Sequence, residues 1–211
     1  MSSVTVTRPI WRRFWHAYRG DALAFVRQGG HAAIVFANDR VEALVGLDRA
    51  GKLTELAEWA LLAIEQRRWK RVLDGAAVST VASARVKPEY AEAVLDWCDR
   101  DAVYPGPTRR ITLDCLRCAA CCQDMNVVLG AADVRRWTAA GRSDLHGRAY
   151  VRRKRDGRLV LRLHDSGRCL HLRRDKLCRV YEMRPDNCRA FVIGSEACLA
   201  AREDTLGLRD G

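Results

Sequence analysis

No apolar run in the 211-residue chain approaches the roughly eighteen residues that a membrane-spanning helix needs, so no transmembrane segment is predicted. The N-terminal stretch MSSVTVTRPIWRRFWHAYRG has no apolar core between its basic residues and any cleavage site. It reads as an amphipathic helix rather than a secretory signal, and the expected location is cytoplasmic. Repeats and low-complexity tracts are missing, which excludes a solenoid. There is no glycine-rich phosphate loop, no paired-carboxylate signal and no Ser-His-Asp arrangement, so no catalytic residue is indicated. Lysine is scarce, five residues against 32 arginines. A hydrophobic fraction of 48% with 30% charged residues is that of a globular chain with a buried core.

Nine cysteines are present. In a reducing compartment thiols serve as metal ligands or redox groups more readily than as disulfides, and an odd count strands one in any fully oxidised scaffold. Four fall in CLRCAACC, residues 115–122. Cys115, Cys118 and Cys121 follow C-x2-C-x2-C spacing, in which a tight turn aims sulfurs at one ion while backbone amides point at the thiolates. A bacterial ferredoxin run would place cysteine at 125; that residue is Met125, and Cys122 adjoins Cys121 instead. Neighbouring side chains diverge by about 100° on a helix and point oppositely on a strand. Cys121 and Cys122 are therefore expected to serve two metal positions, or one ligates with the other behind it.

A second group lies in GRCLHLRRDKLCRVYEMRPDNCRAF, residues 167–191, with Cys169, Cys178 and Cys188. These make seven thiols, and Cys198 would make eight. Eight divide into two closed four-sulfur sites; seven leave one site open or require a bridging thiolate. All-sulfur ligation selects Zn²⁺ or an iron–sulfur cluster over magnesium, calcium or mononuclear copper(II), and both stay open, as one or two sites. His171 and His164 could each replace a thiol, although a lone histidine is more often a hydrogen-bonding residue. Cys98 reads as a small buried hydrophobe on an apolar helix face.

CLRCAACC followed by the spacing C-x8-C-R-V-Y-E-M-R-P-D-N-C-R resembles the YkgJ-like cysteine-cluster family, with the pattern CxxCxxCC, a further cysteine, then C-x-[IV]-Y-x-x-R-P-x-x-C. Agreement falls on Cys115, Cys118, Cys121, Cys122, Cys169, Cys178, Val180, Tyr181, Arg184, Pro185 and Cys188. The resemblance implies zinc or iron chelation. Flagellin lysine methylases carry a similar cluster, so it does not exclude an enzyme. It covers only about residues 110–192. Arg184 is expected beside the metal because the R-P-x-x-C element fixes it near Cys188, and Tyr181 is expected to pack there.

The expected fold class is α+β: a small metal-nucleated module over 110–200, preceded by a mainly helical region over 1–109 and followed by a 201–211 tail. Helices are predicted from Pro9 to Arg27, over 31–49, from Lys52 to Leu73 with Asp74-Gly75 as stop, and from Pro88 to about Arg100. YPGPTRR, residues 104–110, reads as a linker. Within the module a short strand is predicted at 126–129, a helix at 131–140, and a hairpin over 149–164 about Asp156-Gly157. Short helices are predicted after Pro185 and Ser195.

Charge is uneven. Residues 148–189 hold 14 basic and five acidic side chains, a balance of +9, whereas residues 1–110 hold 17 and 13, a balance of +4. A four-thiolate zinc or [4Fe–4S]²⁺ site carries a net charge of about −2, and arginines beside it would offset that charge. The chain is thus read first as a metal-binding protein with a split cysteine-thiolate site, whose N-terminal part could recruit a protein partner. The alternatives are an iron–sulfur redox enzyme or electron carrier, and a zinc-stabilised nucleic-acid-binding module contacting phosphates through Arg152, Arg153 and Lys154.

Overall fold

The structure is a computed structural model and describes residues 3–73 and 80–209. The chain divides into two compact units: Thr5–Thr112 with Gly194–Leu199, and Leu113–Ile193 with Ala200–Leu208.

The first unit is a mixed sheet covered on both faces, not a helical region. Strand β1 (Val4–Pro9) is followed by β2 (Trp11–Trp15), α1 (Arg19–Arg27), β3 (His31–Val35), β4 (Val41–Gly46), α2 (Glu55–Ala63), β5 (Lys70–Arg71), β6 (Val81–Arg85), α3 (Pro88–Asp101) and β7 (Thr108–Leu113). The main sheet runs β2-β3-β4-β6-β5, with β2 and β3 parallel and the remaining pairs antiparallel. β1 pairs with β7 separately. Helix α1 supplies the crossover a parallel pair requires. Its Ala22 and Val26 cluster with Ala32, Ile34, Leu44 and Val81, while the residues between them in sequence, Ala33, Ala43, Val45 and Ala82, join Ala57, Leu61, Val94 and Cys98 in a second cluster. Period-two alternation thus sends the apolar side chains of β3, β4 and β6 to two cores.

That double burial explains the differences from the expected helices. The 31–49 stretch is apolar on consecutive positions because β3 is buried throughout, and such a run carries no strand periodicity. It is a pair of strands turning near Asp39, whose φ is 58°. In Pro9–Arg27 the helical part is α1 with the 3-10 turn of His16–Tyr18 before it, and Trp11–Trp15 is strand. Trp11 is fully buried on β2, but Trp15 and Tyr18 are 59% and 58% exposed, so the aromatics form no single stripe. The third helix is shorter than Lys52–Leu73. Thr54 accepts from the Ala57 amide at its start, and Glu65, at φ 51°, follows its end. Its expected stop, Asp74-Gly75, lies outside the described residues. Helix α3 agrees with its expected bounds to one residue, with Pro88 at its first turn.

Between β1, α3 and Gly194–Leu199 lies a buried ion network. Arg8 donates to Asp101 at 2.8 Å and to Glu196 at 3.0 Å; Arg100 donates to the same two carboxylates, each at 3.0 Å. Trp11 gives its amide to Asp101 and its indole N–H to Glu196. Beside it His31, 3% exposed, packs edge-on against Trp11, with its Nδ1 3.1 Å from the Gly30 carbonyl oxygen. Burial pulls the His31 imidazole down to about 4, although the Asp101 charge acts to raise it. The unfolded chain therefore binds the proton first as pH falls, and stability drops between about pH 6.5 and 4, by ~3 kcal/mol. Asp101, pushed up to about 6 by burial against the pull of Arg100, has the opposite sign: its contribution is present at acid pH and fades as pH rises towards 6. The His31 share is the difference between wild type and His31→Gln. Urea midpoints at pH 7 and 4.5 should converge on acidification; a constant gap would contradict it.

Candidate metal centre

The second unit opens with α4 (Cys115–Cys118), then β8 (Val128–Leu129), α5 (Ala131–Ala139), β9 (Val151–Arg153), β10 (Leu159–Leu161) and α6 (Asp186–Arg189); α7 (Glu196–Leu206) begins in the first unit and ends in the second. The expected hairpin is present, and β10 lies between β8 and β9 in an antiparallel sheet. Val127, Leu129, Trp137, Leu145, Val151, Leu161 and Val180 form its core, and Cys169, Cys178 and Cys188 pack against that core.

Local structure aims the thiols. Asp114 caps α4 by accepting from the Leu116 amide, and Ala119, left-handed at φ 57°, ends the helix and starts the 3-10 turn of Ala120–Cys122. The second cysteine group is stitched to the first by backbone: the Cys169 amide donates to the Cys122 carbonyl at 2.9 Å, and Gln123 bridges Arg168. Gly167 is required there, since at φ 78° a Cβ would strike the Asp124 carboxylate. Cys188 rides on α6, held by buried Asp133, which accepts from the Asp186 amide and pairs with Arg136. Trp137 clamps the preceding segment by donating to the Met183 carbonyl at 2.6 Å.

The result is a cavity of about 170 Å³ lined by Cys115, Cys121, Cys122, Cys169, Cys178 and Cys188, with Leu116, Val127, Val180 and Phe191 among its apolar walls. Cys121 and Cys122 both reach it, although they adjoin in sequence. Among the described residues none of the nine cysteines is in a disulfide. Among the described residues no three His, Cys, Asp or Glu side chains stand in ready-made metal-binding geometry, so the thiols share a cavity wall and not yet a closed shell.

The electrostatics are those of buried, crowded thiols with one guanidinium, Arg184, among them. Burial, then the charges of Cys121 and Cys118, push Cys115 up. Burial, then Cys169, Cys121 and Cys178, push Cys188 up to about 12. The Cys122 thiol donates to Cys121, which holds Cys121 down to about 7 and drives Cys122 upward, with Cys169 and Cys178 adding to the latter. Backbone amides counter this at the second group. Burial raises Cys169 while the amides of His171 and Leu172 donate to its sulfur, and burial raises Cys178 while Val180 does the same. Amides aimed at sulfur stabilise a thiolate, so the chemistry of the donor set fits a thiophilic metal.

Arg184 and Tyr181 line the same cavity, the guanidinium 4.1 Å over the ring. Arg184 opposes the upward shifts of Cys115, Cys178 and Cys188, so it is the near cation among the thiols. His171 is buried, stacks on Tyr150 and lines the cavity, and its Nε2 has no hydrogen-bond partner among the described residues. His164 is exposed. Cys118 lies outside the cavity lining and accepts from Arg202 at 2.9 Å, a partner the sequence did not reveal because 84 residues separate them. Cys98 sits in the apolar core of the first unit, where burial raises its thiol. Cys198 is buried on α7 within the first unit, its amide donating to Ser195. On the hairpin, Arg153 donates to the Gly157 carbonyl and Arg158 pairs with Asp156, whereas Arg152 is exposed.

Residues 114–204, under half of the chain, match the model of the CxxCxxCC family, described as "Putative zinc- or iron-chelating domain". The match supports metal chelation by this region. No curated protein and no solved structure matches the chain significantly. Among the described residues no helix is long and apolar enough to cross a membrane.

Proposed function

We propose that residues 114–193 hold zinc or an iron–sulfur cluster through seven cysteine thiolates in two overlapping groups. Cys115, Cys118 and Cys121 form one, since each of the latter two acts on Cys115. Cys122, Cys169 and Cys178, all on the cavity wall, form the other. Cys188, on the same wall, is assigned as a thiolate bridging the two groups, the alternative for seven donors being one open site. Cys198, which does not line this cavity, would be the eighth thiol and is left outside the proposed set. The observation that carries the reading is the single cavity walled by six of these thiols.

Bound metal supplies folding free energy to the unit and, if it is an iron–sulfur cluster, one-electron chemistry. The chain's own residues do the rest. The amides of His171, Leu172 and Val180 stabilise thiolate, Arg184 offsets part of its charge, and apolar residues line the rest of the cavity. The amides favour iron–sulfur redox or electron transfer as the second reading, because hydrogen bonds to the sulfurs tune a cluster's potential. Metal content of protein purified without oxygen tests the proposal: retained zinc or iron supports it, and metal-free folded protein opposes it.

A further inference from the structure

A second concavity lies in the first unit, independent of the cysteines. Its volume is about 670 Å³, and it is lined by Arg40, Arg67, Arg68, Lys70 and Arg85, with Glu42, Gln66, Ser83 and Trp69. The floor comes from the sheet. Glu42 pairs with Arg85 across β4 and β6, and Ser83 pairs with Lys70 across β6 and β5. Register places these residues on the sheet face where Ile34 and Leu44 carry α1. The same face therefore changes from apolar under the helix to cationic beside it.

Five cations meet one carboxylate, and that carboxylate is already engaged: Glu42 takes a guanidinium hydrogen bond from Arg19 at 3.2 Å and the Ser83 hydroxyl. Arg40 lies over the Phe36 ring. Arg67, Arg68, Lys70 and Arg85 make no ion pair with a carboxylate among the described residues. The groove's surplus of four equals the whole excess of residues 1–110, so the rest of that stretch is balanced and the charge is gathered in one place. Trp69 lines the groove's edge, half-buried, with its ring packed against the core of the opposite sheet face, and Gln66 is tied to the Arg85 carbonyl at 2.7 Å. Clustered guanidinium groups match phosphate, and an aromatic ring among them suits a base.

We propose that this groove binds a run of adjacent phosphates, as a nucleotide or a single-stranded polynucleotide presents them. The full metal-loaded chain would be titrated at low salt with labelled oligo-uridylate, with ATP and inorganic tripolyphosphate as competitors. Arg67→Glu with Arg68→Glu should weaken binding about tenfold or more and flatten the log-log salt slope by about 1 to 1.5, as loss of two phosphate contacts on a single strand requires. Arg67→Gln with Arg68→Gln should fall between, and Arg152→Glu with Arg153→Glu, on the hairpin of the other unit, should change neither. Competition by tripolyphosphate as strong as by ATP marks phosphate as the recognised group; tighter binding of the oligonucleotide than of either assigns the polynucleotide as source, and the reverse assigns the nucleotide. No saturable binding of any of the three, or an equal loss in the hairpin variant, would overturn the proposal.

Discussion

Cys188→Ser should release the metal. The thiol lines the same cavity as Cys121, Cys169 and Cys178 and is proposed to be shared by both groups, so its loss should open both. Serine keeps the size and forfeits the soft donor. Loss of outer-sphere partners alone lowers metal affinity by about 10–100-fold, and removal of a shared ligand should exceed that. Structural zinc supplies about 10–16 kcal/mol to small domains, so folding of the second unit should depend on a bound metal. The variant purified anaerobically should carry little metal, and near-ultraviolet circular dichroism should report loosened packing around Trp137. Cys98→Ser, in the apolar core of the first unit, and Cys198→Ser should both retain it. Full metal in Cys188→Ser would remove the bridging role.

Glu196→Ala should be the most destabilising single change in the first unit. It strips Arg8 and Arg100 of one shared carboxylate and leaves two guanidinium groups, each at most 9% exposed, with Asp101 alone. Breaking a buried pair by removing one partner costs about 3–5 kcal/mol, since a buried charge is left uncompensated. The Trp11 indole also loses its acceptor. Urea unfolding followed at a tryptophan signal should show a midpoint shift of that size, with Glu196→Gln recovering part of it through the Trp11 and Arg contacts. A change below about 1 kcal/mol would mean that water enters the network and satisfies the arginines.

The two halves of the chain differed in legibility. In the second unit the punctuation is local: Asp156-Gly157 turns the hairpin, Pro185 precedes α6, and the cysteines advertise themselves by spacing. Arg184 lines the thiol cavity, where the R-P-x-x-C element put it. In the first unit the strands are buried on both faces and rich in alanine, so β3 and β4 presented apolar runs without a period. Nor could sequence show that Glu196, eight residues after Cys188, belongs with Arg8 and Arg100; pairs 188 and 96 residues apart leave no local trace. The adjacency of Cys121 and Cys122 suggested two metal positions or a ligand with its neighbour behind it; both thiols, on the 3-10 turn after left-handed Ala119, line one cavity. The cationic groove escaped notice for a similar reason, since the +4 of residues 1–110 looked diffuse until β4, β5 and β6 gathered it.

The central claim is that a thiolate metal centre occupies the second unit. Elemental analysis with a visible spectrum, on protein purified without oxygen, tests it most directly. The account predicts zinc or iron bound in at least stoichiometric amount, colourless with zinc or brown and bleached by reductant with an iron–sulfur cluster, and lost when Cys122, Cys169 and Cys178 are changed together to serine. A folded protein containing neither metal, or one that keeps its metal in that triple variant, would contradict it.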